Sequence, residues 1–247
     1  MFNKNKIIKF YPCCTKENIF DNIAEIVCNI IKTNTNASIG FGCGANFINL
    51  FKKITSTLKK QSLNLLDTKI FTLFDYIDLE KKYSSYFTKN VIINNFFKKT
   101  KFNTDNIFLI DDKNYIDIDK KINQLRELDL LIIFTTSVGS IMLDDRKKKN
   151  TNSAVLYVSE NNRSLLVKDY DEKIDVPHKC VSIGFNQIKR AKQVIIISIG
   201  SSNSYINNII LRNQINKKYP ITLLTKLKNV SLYTDNDSTN LINSEKF

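Results

Sequence analysis

Ala37-Ser38-Ile39-Gly40-Phe41-Gly42-Cys43-Gly44-Ala45-Asn46, continued by FINLFKKITSTLKK over residues 47–60, is the stretch on which the fold turns. A short apolar run, a glycine-rich turn and apolar residues at helical spacing give a strand, a turn and a helix, which is one βα unit. Upstream, ENIFDNIAEIVCNIIK at 17–32 sets Ile19, Phe20, Ile23, Ile26, Val27 and Ile30 at helical spacing, and Thr15 stands where an N-cap belongs. Downstream, residues 70–74, 128–134 (LDLLIIF) and 194–199 (VIIISI) read as further strands. The last two are continuously apolar, as expected of parallel strands covered on both faces. Helical stretches at 84–99 and 205–217 fall among them, and this alternation implies an α/β chain with a mostly parallel sheet flanked by helices. No internal repeat and no Pro-, Gly- or Ser-rich linker divides the chain, so one domain over residues 1–247 is expected.

The composition fits that reading. With 247 residues, 43% of them hydrophobic, the chain is long enough to bury a sizeable core. No run approaches the roughly 18 uncharged apolar residues of a membrane span, and MFNKNKIIKFYP lacks the apolar centre of a signal peptide, so a cytoplasmic protein without a membrane partner is expected. The cysteines, Cys13, Cys14, Cys28, Cys43 and Cys180, have no C-x-x-C spacing and frame neither a disulfide scaffold nor a zinc site. Cys43 reads as a small loop residue rather than a nucleophile, because no histidine stands near it in sequence to activate it. The net charge of +13 is carried by lysines in a chain crowded with Asn and Ile. That is compositional drift rather than a designed patch, and the dense run Arg146-Lys147-Lys148-Lys149 lies in a polar loop. No nucleic-acid partner is expected.

In open α/β sheets, ligands bind beyond the carboxyl ends of the strands, which singles out residues 42–46, 75–78, 135–145 and 200–203. The turn from Gly40 to Asn46 offers backbone N–H groups at a helix N-terminus, where an anion is favoured by unpaired donors and the helix dipole. It is neither the dinucleotide fingerprint nor a phosphate-binding loop of the Gly-Lys-Ser/Thr type.

The order of these segments resembles the glucosamine-6-phosphate deaminase and 6-phosphogluconolactonase family along nearly the whole chain. Ile39-Gly40-Phe41-Gly42-Cys43-Gly44-Ala45-Asn46-Phe47 is similar to its L-G-L-x-T-G-[SG]-T-P phosphate loop, and Thr72-Leu73-Phe74-Asp75-Tyr76-Ile77-Asp78-Leu79 to its N-M-D-E-Y-V-G-L segment. Tyr83-Ser84-Ser85-Tyr86-Phe87 resembles its serine- and aromatic-bearing helix, and Asp129-Leu130 begins the strand leading to D-G-H-I-A-F-N-E. Val176-Pro177, Ser182-Ile183-Gly184, Ala191-Lys192, Pro220-Ile221-Thr222 and Asn229-Val230 follow in the family's order.

The resemblance implies a three-layer, Rossmann-like sandwich and a sugar phosphate as partner, with no cofactor, and an association state between monomer and hexamer. It also implies the site. Backbone at Gly42, Gly44 and Ala45 would hold the phosphate, with Asn46 in place of the family's Thr, Asn203 in place of its Lys, and Arg163 as an approximate match to its Arg.

On the catalytic side the chain departs from the pattern. Phe74 stands where the family has its proton-shuttling Asp, Val138 where D-G-H has its Asp, and Ser140 where the ring-opening His belongs. The surviving carboxylates are Asp75 as base and Asp145 as acid, with Asp144 the alternative to Asp145. For these to act they must converge on one pocket beside the glycine-rich turn. The sole histidine, His178, is expected to face solvent in a loop. Three readings follow: a deaminase-like protein that acts on or binds a sugar phosphate, a 6-phosphogluconolactonase-like hydrolase, and a pseudoenzyme that binds a phosphosugar or a partner.

Overall fold

A computed structural model describes residues 8–42, 44–146, 150–169 and 176–242. Cys43 and the three lysines of the basic run lie outside the described residues, so the reading of Cys43 as a loop residue is not addressed. The strands are β1 (Lys9–Pro12), β2 (Ser38–Phe41), β3 (Lys69–Thr72), β4 (Phe74–Ile77), β5 (Ile107–Phe108), β6 (Leu130–Phe134), β7 (Ala154–Tyr157), β8 (Lys179–Ser182), β9 (Val194–Ser198) and β10 (Val230–Thr234). The α-helices are α1 (Lys16–Thr33), α2 (Phe47–Lys60), α3 (Thr88–Asn95), α4 (Tyr115–Gln124), α5 (Glu160–Asp169), α6 (Phe185–Ile188) and α7 (Ser204–Leu211).

Seven strands form one sheet in the order β1-β10-β9-β6-β2-β3-β5, and every pair in it is parallel. Its central strands β6 and β9 are almost wholly apolar because each face feeds a different core. Leu130, Ile132, Ile195 and Ile197 pack with α1 and α2 on one side, while Leu131, Ile133, Val194 and Ile196 pack on the other with Ile118 and Ile122 of α4 and Ile206 and Ile210 of α7. The helix–sheet–helix layering expected from the alternation is therefore present. Thr15 caps α1 in a full capping box with Asn18, as its position before the apolar repeat implies.

Three expectations change. The strand expected over residues 70–74 ends at Thr72, and the chain crosses at Leu73 into a second, antiparallel sheet, β4-β8-β7, which periodicity did not reveal. Leu73 joins the two sheets: its N–H donates to Phe41 and its carbonyl accepts from Ile183. The helix expected over 84–99 is broken into a 3-10 turn (Lys81–Tyr86), α3 and a second 3-10 turn (Phe97–Lys99). The helix expected over 205–217 is shorter: between β9 and β10, α7 stops at Leu211, and Asn213 takes a left-handed conformation (φ 55°) as a helix-ending residue does.

Candidate functional site

From β2 the chain builds the sheet outward through β3 and β5, and from β6 it builds the other way through β9 and β10. The loops leaving β2 and β6 therefore diverge, and a crevice opens between them at the carboxyl ends of the strands. Its polar half, about 320 Å³, is lined by Ala45, Asn46 and Asn49 after β2, by Thr135, Thr136 and Ser137 after β6, and by Ser202 and Asn203 after β9. Lys16, the first residue of α1, reaches the same cavity. An apolar half of about 150 Å³ adjoins it under Phe47, Phe74, Tyr76, Met142, Leu143 and Leu166. Ala45, Asn46, Phe134, Thr136 and Leu165 wall both halves.

The polar half suits an anion. The N-termini of α2 and α7 both border it; neither carries a side-chain cap or an acidic residue in its first turn. The dipole of α2 is thus left without a carboxylate in its first turn, whereas Asp235 accepts the Gly200 N–H at 3.1 Å at the start of the 3-10 turn that leads into α7. Lys16 is the one charged side chain among the described residues lining the polar half. Its carboxylate neighbour is Glu17 at 3.9 Å, with side-chain exposures of 53% and 67%, a pairing that water screens strongly. Among the described residues, neither half of the crevice is lined by an Asp, Glu or His.

The residues proposed from sequence separate into two groups. Gly42, Gly44, Ala45, Asn46 and Asn203 all line the crevice. A Cβ on Gly42 would stand 3.0 Å from Met142 Sδ, so glycine leaves room for that side chain to form the apolar wall. Asn203 spends its amide group on the end of β9, donating to the Ile199 carbonyl at 2.8 Å.

Asp75, Asp145 and Arg163 do not line it. Side chains alternate along β4, so Phe74 and Tyr76 face the apolar half while Asp75 turns the other way. Asp75 is buried and accepts N–H bonds from Tyr76 and Thr88 at 2.8 Å and from Lys89 at 3.4 Å, capping α3 from a different strand. Burial nevertheless outweighs those donors and pushes its carboxyl up to about 6. Asp145 accepts from the Asn162 side chain at 3.0 Å, and Asn162 in turn accepts from Ser140 Oγ at 2.9 Å. Asp144 is held in a fork by Arg146, with the closest contact at 2.7 Å. The carboxylates are thus tied to separate structural partners rather than brought together on the crevice. Arg163 pairs with Glu160 at 3.1 Å and lies 3.3 Å from His178, whose ring is exposed as expected.

Sequence reasoning missed Lys16 and Asn49; Ser202 falls in the marked segment 200–203 without having been named as a site residue. Lys16 carries no local signal, since the first residue of a capped helix is commonly polar. The loop after β6 was marked by the strand-end rule alone.

No family model matches the chain. It is 24% identical over 238 residues to the glucosamine-6-phosphate deaminase of Malacoplasma penetrans, covering 93% of this chain and 98% of that protein. It is 23% identical over 239 residues to the same enzyme of Mycoplasma mycoides subsp. mycoides, covering 94% and 96%. Among solved structures, a monomeric glucosamine-6-phosphate deaminase superposes with a TM-score of 0.86 at 17% identity, over 95% of this chain and all of that one. A 6-phosphogluconolactonase from Trypanosoma brucei does so with a TM-score of 0.73 at 14% identity, over 96% and 99%.

Proposed function

We propose that this chain, a divergent member of the glucosamine-6-phosphate deaminase and 6-phosphogluconolactonase family, binds a sugar phosphate in the crevice between β2 and β6 and does not carry out the deaminase reaction. The observation that carries this reading is the chemistry of the lining: among the described residues it combines hydroxyls, amides, the N-terminus of α2 and one lysine, with no carboxylate or imidazole. The donors support an anion. Moving a proton between two sugar carbons needs a base within hydrogen-bond reach, which none of these side chains supplies at neutral pH. Lactone hydrolysis in this family also draws on the histidine replaced here by Ser140, so the same lining counts against both reactions. A phosphate seated over the first turn of α2 would be met by Ser137, Ser202 and Lys16, and Lys16 would stand in for the cation absent at Asn203. A cytoplasmic setting belongs to the same reading. Cys13, Cys14, Cys28 and Cys180 are free thiols, as a reducing compartment keeps them, and no helix of the described residues is long and apolar enough to cross a membrane.

NMR of the purified protein with glucosamine 6-phosphate tests the reading directly. Line broadening of the ligand without appearance of fructose 6-phosphate is expected; catalytic production of fructose 6-phosphate would overturn the non-catalytic part. Replacing Lys16 with Ala is expected to weaken binding roughly 3- to 10-fold, the modest value reflecting a half-exposed cation, with a larger effect at low ionic strength. Titration at two salt concentrations checks this; an unchanged affinity would remove Lys16 from the site.

A further inference from the structure

The apolar half of the crevice bears on which sugar phosphate fits, an inference that rests on the binding reading above. We infer that the crevice takes a sugar phosphate that is uncharged apart from its phosphate and carries a compact apolar substituent, and that it discriminates against a free ammonium group.

Two observations carry this. The first is charge. A free aminosugar phosphate brings a cation as well as an anion, and an ammonium drawn out of water is held best beside a carboxylate. Among the described residues neither half of the crevice presents a carboxylate, and the one charge that lines it, Lys16, repels a second cation. The second is the way the apolar wall is built. Met142 and Leu143 sit at the centre of a tight turn closed by Ile141 and Asp144, whose backbones bond reciprocally at 3.1 and 2.9 Å. Both have positive φ, 50° and 65°. That conformation favours Asn and Gly and costs a bulky residue strain. Strain of this kind persists where the side chains serve a purpose, and these two side chains line the apolar half. Gly42 gives way to Met142 from the opposite wall, and Phe74 closes the floor beside Gly44, 3.8 Å from where a Cβ would stand. The result is an apolar pocket of about 150 Å³ with room for an acyl substituent, continuous with the anion site through the shared Asn46 and Thr136.

The test is a comparison of dissociation constants for four probes: inorganic phosphate, glucose 6-phosphate, glucosamine 6-phosphate and N-acetylglucosamine 6-phosphate. The N-acetyl compound is expected to bind at least ~10-fold more tightly than the free amine, through burial of its methyl group and removal of the unpaired charge. Glucose 6-phosphate should lie between them. Lys16→Ala should weaken all three sugar phosphates, glucosamine 6-phosphate least because a repelling charge is removed with it, whereas Leu143→Gln should erase the preference of the acylated sugar over glucose 6-phosphate. Equal or tighter binding of glucosamine 6-phosphate would overturn the inference while leaving sugar-phosphate binding in place. If no sugar phosphate binds better than inorganic phosphate, both readings fall.

Discussion

Replacing Gly184 with Ala is expected to lower the free energy of unfolding by roughly 3 kcal/mol or more, the penalty of overpacking against atoms that cannot move aside. Gly184 has an ordinary φ of −90°, so its importance lies in proximity rather than conformation. A Cβ there would overlap the Thr151 carbonyl group and the Asn152 backbone. That apposition is fixed from several directions: the Phe185 N–H donates to Thr151 Oγ1 at 2.9 Å, the Asn186 N–H to the Thr151 carbonyl at 3.0 Å, and the Asn186 side chain to Asn152 Oδ1 at 2.7 Å. Through these bonds α6 is pinned to the start of β7, and with it the small antiparallel sheet is pinned to the main core. Gly200→Ala makes an informative control. Nothing would meet its Cβ, but its φ of +85° with ψ of 153° lies where essentially only glycine goes, at a cost to an L-residue of roughly 1–3 kcal/mol. Denaturant unfolding of both variants should give a larger loss at Gly184. Equal losses would mean that the two backbones relax apart.

Removing the Asp75 carboxylate is the second change expected to have a large effect. Asp75→Ala leaves the buried N–H groups of Thr88 and Tyr76 without their acceptor at the start of α3, for an expected loss of roughly 2 to 4 kcal/mol. Asp75→Asn keeps an acceptor and separates hydrogen bonding from charge. The carboxyl of Asp75 is pushed up to about 6 in the folded chain, from 3.8. The folded state therefore holds its proton more tightly than the unfolded state. Its contribution to stability is complete below about pH 4 and is lost as pH rises through 6, by at most about 3 kcal/mol. Asp75→Asn should accordingly gain on the wild type between pH 4 and pH 7. Urea unfolding of both at intervals across that range checks the sign, and parallel curves would show that Asp75 does not titrate in this window. Because Phe74 and Tyr76 flank Asp75 and wall the apolar half, both variants should also report on ligand affinity.

Legibility differed between the fold and the site. The run at residues 128–134 is apolar at every position after Asp129, and the strand it forms feeds two cores by strict alternation, Leu130 and Ile132 one way and Leu131 and Ile133 the other. Such a pattern is local, so periodicity exposes it. Thr15, placed just before an apolar repeat of period 3.6, was legible as a cap for the same reason. The small sheet was not. Residues 70–74 are apolar without a break, and only pairing with residues over a hundred positions away diverts the chain at Leu73. The helix at 84–99 was overestimated because the acceptor that starts α3 belongs to Asp75 on another element, invisible to any local capping rule.

The candidate site divides along the same line. The glycine-rich turn and the strand-end segments at 135–145 and 200–203 were marked from sequence, since a parallel sheet places its ligand loops there whatever their residues. Whether a given side chain enters the crevice depended on tertiary pairing. Asp75 occupies a marked segment, but in β4 the two-residue period sends Phe74 and Tyr76 inward and the carboxylate outward. Asp145 was drawn to Asn162 and Arg163 to Glu160, both contacts that strand order does not specify. Lys16 came from a helix that no motif connects to the turn at Asn46. The amino-acid sequence by itself thus determined the layers, the direction of the strands and the end of the sheet where ligands gather, because those follow from local periodicity and chain handedness. Only the tertiary structure decided which charges face that end, because a side chain's direction there is set by contacts between segments far apart in the chain.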